Sequence, residues 1–126
     1  MDSQGKTRLI QEGFDCFNSG QFYEAHEHWE EVWLEAPHPE KLFLQGLIQV
    51  AAAFHHYSRE NRMGTKNLLD AGLLKLELCP EDQWGLSIAT LRSEVSRWRQ
   101  ALEAGEELDC ASIPKIKVRN FSLRPE

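Results

Sequence analysis

The string His26-Glu27-His28-Trp29-Glu30 gathers the side chains best suited to chemistry. On a helix, an imidazole and a carboxylate four residues apart share one face. There the carboxylate can orient the ring, raise its basicity or share a metal with it. As H-E-x-x-E, the string is one residue away from the H-E-x-x-H helix of zinc hydrolases. The difference is chemical, because His26 and Glu30 supply two ligands and a catalytic zinc needs a third protein ligand, for which His56 or His55 is the candidate. Glu27 would then serve as acid/base or ligand. A histidine satisfied within the core is the plainer alternative. Further along, Gln45, Gln49 and His56 fall within about 40° of one another at helical spacing and form the one polar stripe of a mostly apolar segment. The candidate polar site is therefore His26, Glu27, Glu30, Gln45, Gln49 and His56, with Trp29 and Trp33 as neighbouring aromatics. No catalytic residue, metal or cofactor is assigned. No Ser-His-Asp order, phosphate-cradling glycine loop or cysteine nucleophile context is present.

Helices must position these groups. Helix 1 is expected from Lys6 to Phe17, with Leu9, Gly13, Cys16 and Phe17 inward, ending at Asn18-Ser19-Gly20. Helix 2 carries Phe22, Ala25, Trp29, Val32, Trp33 and Ala36 at three- and four-residue steps and ends at Pro37-His38-Pro39. Helix 3, Glu40 to Arg59, is apolar around most of its circumference, the mark of a central helix. Asn61 caps helix 4, whose Leu68, Leu69, Gly72, Leu73 and Leu76 precede Cys79-Pro80. Helix 5, Ser87 to Ala104, places Ile88, Leu91, Val95, Trp98 and Leu102 on one face, and Gly105 closes it. Residues 1–112 read as one helical domain and residues 113–126 as an extended basic tail that packs on it, with Ile113, Ile116 and Val118 alternating with basic residues.

The fold class is all-α. Short connections favour five antiparallel helices, as an up-down bundle or a helical-hairpin array. Gly13, Ala25, Trp29 and Pro37 have the spacing of a single tetratricopeptide hairpin. If helices 2 and 3 are antiparallel about Pro37 and His38, residues meet when their numbers sum to about 75. His26 would then face Gln49, and Glu30 would face Gln45.

Two stretches carry a family resemblance: Phe17 to Trp33, containing Glu24-Ala25-His26-Glu27 with Glu30 and Trp33, and Gln45-Gly46-Leu47-Ile48-Gln49 with His56. Over residues 9 to 102 the chain resembles the domain-of-unknown-function family 309, small helical proteins of bacteria, archaea and chloroplasts. The resemblance implies an all-helical fold and no activity. The chain departs from the family where Glu60-Asn61 and Gly64-Thr65 stand in place of Gly-Asn and Gly-Ala.

Composition narrows the function further. The 126 residues carry 14 Lys and Arg against 20 Asp and Glu, a net charge of −6. Lys115, Lys117, Arg119 and Arg124 concentrate cations in the tail, while Leu9 to Glu40 holds no Lys or Arg beside eight acids. Such a surface repels phosphate backbones, so no nucleic acid partner is expected. No segment approaches the roughly 20 apolar residues of a membrane span, and no secretory signal is evident at the N-terminus. Cys16, Cys79 and Cys110 suit reduced thiols in a cytoplasmic protein. Aromatics at helical spacing, Trp29, Trp33, Trp84 and Trp98, read as core. The leading expectation is a non-enzymatic interaction or adaptor domain whose Glu24, Glu27 and Glu31 dock something basic, either a protein partner or the chain's own Lys115, Lys117 and Arg119. The alternative is a small metal-dependent or acid/base enzyme built on the His/Glu cluster. Self-association is left open.

Overall fold

The computed structural model describes residues 1–81 and 83–117. Five helices carry them: α1 (Ser3–Asn18), α2 (Phe22–Trp33), α3 (Glu40–Ser58), α4 (Arg62–Glu77) and α5 (Ile88–Glu103). Single 3-10 turns lie at Gln83–Gly85 and Cys110–Ser112, and no strand occurs among the described residues.

Side-chain caps set several helix starts. Asp2 accepts from the Gly5 amide at 2.8 Å, so α1 begins three residues before the expected Lys6. Asn61 accepts from Gly64 N at 3.0 Å to open α4. Ser87 Oγ accepts from Thr90 N to open α5. Each such cap contributes about 1 kcal/mol. Gly20, at φ 83°, lets the chain reverse between α1 and α2 within three residues.

The inward face of α1 differs from expectation. Ile10 and Phe14 are fully buried beside Gly13 and Phe17, whereas Leu9 and Cys16 are half-buried. Five apolar residues crowd into Leu9–Phe17, and the stripe chosen by the fold is rotated by one position. Helix α2 stops at Trp33, short of Pro37, because its last turn tightens: Glu35 N bonds to Val32 O and Ala36 N to Trp33 O. Thr65 joins the buried face of α4, and Leu68 sits at its margin. On α5 all five expected residues are buried. Three of the four tryptophans are core; Trp33 is half-buried, with Lys41 Nζ 4.2 Å above its ring.

Packing is built on α3. Phe54, fully buried, touches Phe17 of α1 (ring centroids 6.2 Å apart), Phe22 of α2 (5.7 Å) and Trp98 of α5 (5.1 Å). Between α3 and α4 two glycines let the backbones approach: a Cβ at Gly72 would stand 2.9 Å from Val50 Cγ2, and one at Gly46 would stand 3.1 Å from Leu76 Cδ2. Residue numbers rise along one helix as they fall along its neighbour. Phe17 meets Phe22 and Ile10 meets Trp29; Phe22 meets Phe54 and Trp33 meets Lys41; Asp70 meets Arg99 and Lys66 meets Glu103. Glu40, at the start of α3, joins α1 and the α4–α5 link by pairing with Lys6 Nζ at 2.7 Å and accepting from Trp84 Nε1 at 3.2 Å.

After α5 the chain runs back over the helices as a strap. Arg62 donates to Glu106 O, Tyr57 Oη exchanges hydrogen bonds with Leu108 O and N, and Trp98 Nε1 donates to Ser112 O. The Asn18 amide grips the Ile116 backbone twice, at 2.9 and 2.8 Å. Ile113, Pro114 and Ile116 are buried. Among the described residues, neither Lys115 nor Lys117 pairs with the carboxylates of α2, so apolar packing and side-chain-to-backbone bonds hold this segment. Val118, Arg119 and Arg124 lie outside the described residues.

Candidate functional site

The expected polar cluster does not converge on one point. His26 Nε2 lies 3.8 Å from Glu30 Oε2, the i to i+4 pairing that the spacing dictates. At that separation the two groups are near neighbours rather than hydrogen-bonded, and His26 Nδ1 is buried with no hydrogen-bond partner. Glu27 points outward, exposed. Gln49, in place of His26, takes Lys75 of α4 as its partner, Nζ to Oε1 at 3.2 Å. Gln45 is half-buried and not bonded to Glu30. His56 sits at the α3–α4 turn, with Nδ1 3.2 Å from Asn61 Nδ2.

A line of rings that the sequence reading missed joins α2 to the end of α3. Tyr23 packs against His26 (5.6 Å between ring centroids) and against His55 (5.4 Å), and His55 against His56 (6.1 Å). Tyr23 is half-exposed. The signal was available, since Tyr23 precedes His26 by three residues on one helix. His55 is thus on the His26 side, and His56 stands one ring further along. Among the described residues, no three His, Cys, Asp or Glu side chains gather where they could hold a metal ion. The H-E-x-x-E string and its expected third ligand stay apart: His26 and Glu30 form an isolated pair at the margin of α2.

Trp29 is a packing residue. It is fully buried, its Nε1 donates to Ile10 O at 3.2 Å, and its ring lies against Gly13. Nearby, His28 Nδ1 stands 3.9 Å from Glu12, and the outer face of α2 carries Glu24, Glu27 and Glu31, all exposed.

This acidity reaches Cys16. Burial first, then the negative charges of Glu24, Asp15 and Glu12, raise its thiol above the ordinary value. Burial likewise raises Cys79, partly opposed by Arg92. A raised thiol pKa leaves less thiolate at any given pH, and the thiolate is the nucleophile. At pH 8, iodoacetamide is expected to alkylate the exposed Cys110 well before Cys16 or Cys79, as peptide mass mapping over time will show. Cys16 reacting as fast as Cys110 would contradict this electrostatic picture.

Residues 10–68 match the family model described as "Domain of unknown function (DUF309)". That stretch contains both motifs, most of α1, all of α2 and α3, and the first half of α4. It is shorter than the expected 9 to 102, leaving α5 and the strap outside. An "Uncharacterized protein" of Aquifex aeolicus (strain VF5) is 33% identical over 89 residues, 70% of this chain and 27% of that protein. "Uncharacterized protein YpuF" of Bacillus subtilis (strain 168) is 41% identical over 49 residues, 38% of this chain and 28% of that protein. The chain therefore matches only about a quarter of the length of either relative.

Proposed function

We propose, taking residues 10–68 as a DUF309 domain, that this chain is a non-enzymatic interaction domain docking a basic protein segment on the outer face of α2. The carrying observation is that Glu24, Glu27 and Glu31 are exposed and without ion pairs among the described residues, whereas five cations of the chain are held by other carboxylates. Lys6 is held by Glu40, Arg8 by Glu12, Lys66 and Arg99 by Asp70 and Glu103, and Arg92 by Glu81. Like charges at these spacings disfavour the isolated helix by a few tenths of a kcal/mol per pair, and a cationic partner removes that repulsion. Half-exposed Tyr23 adds an aromatic surface at the edge of the same face. The close approach of Gly13 to Trp29 supports reading α1 and α2 as a hairpin of tetratricopeptide shape, a form that presents helical faces to partners. We place the protein in the cytoplasm, a reading supported by its three unpaired cysteines. No helix among the described residues is long and apolar enough to cross a membrane.

The test is affinity capture from the source cell with wild type and the triple variant Glu24→Lys, Glu27→Lys, Glu31→Lys. The expected result is a protein retained by wild type, released as salt rises because exposed charges are screened over about 10 Å at 0.1 M, and absent from the reversed variant. Circular dichroism should show both proteins equally helical, since all three positions are exposed. Equal retention by both proteins, or no salt-sensitive partner at all, overturns the reading.

A further inference from the structure

Beneath the strap lies a cavity of about 220 Å³, away from the acidic face of α2 and independent of the docking reading. Its walls come from the α1–α2 turn, the end of α3 and the strap. Phe17, Phe22 and Phe54 form the floor, at ring separations of 5.1, 5.7 and 6.2 Å, and Tyr57 and Ile113 close the sides. We propose that this cavity binds a small hydrophobic monocarboxylate, its ring or branched chain among these aromatics and its carboxylate on Lys115.

The polar groups of the lining lead to that chemistry by elimination. Tyr57 Oη is committed to Leu108 O and N, and Ser58 Oγ donates to His55 O at 2.6 Å. Cys110 is a weak donor. Lys115 is the cation of the lining, exposed at the mouth and with no ion pair among the described residues. A single ammonium suits one carboxylate; a phosphate group draws on several donors such as guanidinium forks or helix N-terminal amides. Water is a poor occupant, because each molecule needs two to four polar partners and this lining offers few. At Gly20, also in the lining, nothing lies within 4 Å of where a Cβ would stand, which leaves a way in. The volume is below the roughly 300–1,000 Å³ of sites for drug-sized ligands, so the ligand is fragment-sized. The site is preformed, because Asn18, Tyr57 and Trp98 already clip the strap through Ile116, Leu108 and Ser112.

The test titrates the full chain with 3-phenylpropionate, its neutral amide 3-phenylpropionamide and the cationic 3-phenylpropylamine, followed by amide NMR. Saturable shifts are expected at Gly20, Tyr57 and Ile113 with the carboxylate, weaker ones with the amide, and the weakest with the amine. Lys115→Ala should weaken the carboxylate about three- to tenfold and leave the amide unchanged, while Lys115→Arg should retain carboxylate binding. Lys115 is exposed, so neither variant endangers the fold. Equal affinity for carboxylate and amide overturns the proposal. So does a carboxylate affinity left unchanged by Lys115→Ala, perturbation centred elsewhere, or no saturation at millimolar concentration.

Discussion

Gly13→Ala is expected to destabilise the protein by about 2–4 kcal/mol, although alanine is the better helix former by up to about 1 kcal/mol. A Cβ at this position would collide with the Trp29 indole, standing within 2.6 Å of Cε2 and closer still to Nε1. Relief would require the indole to move, and it is confined. It is fully buried, packs edge-on against Phe14 at 5.8 Å and against Phe17 at 6.0 Å, and is bonded to Ile10 O. Overpacking of this kind costs about 1–3 kcal/mol, and leaving the Ile10 carbonyl or the indole N–H unpaired in the core adds about 1–3 more. Urea denaturation followed by circular dichroism measures the change. In the double variant with Trp29→Phe, the smaller ring makes room and lacks the N–H, so the Gly13→Ala penalty should shrink clearly below its value alone. A neutral or stabilising Gly13→Ala would show that α1 and α2 do not approach this closely.

Phe54→Ala should have the larger effect, about 3–5 kcal/mol. Its ring is where α1, α2, α3 and α5 meet, through Phe17, Phe22 and Trp98. Removal would leave a void already continuous with the cavity beneath the strap, which Phe54 helps line. For a domain whose total stability is about 5–15 kcal/mol, that loss is a large share. Phe54→Leu, which keeps apolar volume, should cost distinctly less. Both are read by the urea midpoint, with tryptophan fluorescence reporting exposure of the buried tryptophans, Trp98 among them. A loss below about 1 kcal/mol for the alanine variant would contradict the hub assignment, because a fully buried phenylalanine cannot be truncated so cheaply.

The residues of the candidate site show how far the sequence could be read. His26 and Glu30 pair as spacing alone required, because four residues along a helix fixes both height and angle. The expected register between α2 and α3 also agrees with Phe22 against Phe54 and Trp33 against Lys41. Gln49 nevertheless faces Lys75 on α4. Height was legible because a short connection between two helices sets it; azimuth was not. Helix α3 is apolar on most sides and packs against α1, α2, α4 and α5, so its own pattern names no preferred neighbour for its polar stripe. Tyr23 and His55 are similar: each was visible on its helix, but their contact depends on how two helices are rotated about their axes.

Periodicity and capping residues alone thus determined the five helices, the central place of α3, the cap at Asn61 and the buried face of α5. Each of these depends on neighbours within a turn or two, where chain geometry leaves few choices. Tertiary structure decided which stripe of α1 turns inward, which helix Gln49 addresses, and how the strap lies. The Asn18 amide reaches the Ile116 backbone across 98 residues of sequence, and Tyr57 reaches Leu108 across 51. Bonds from a side chain to a distant backbone leave no periodic trace, since any residue can offer that backbone. The cavity between Phe17, Phe54 and Lys115 exists only where those remote segments close over one another.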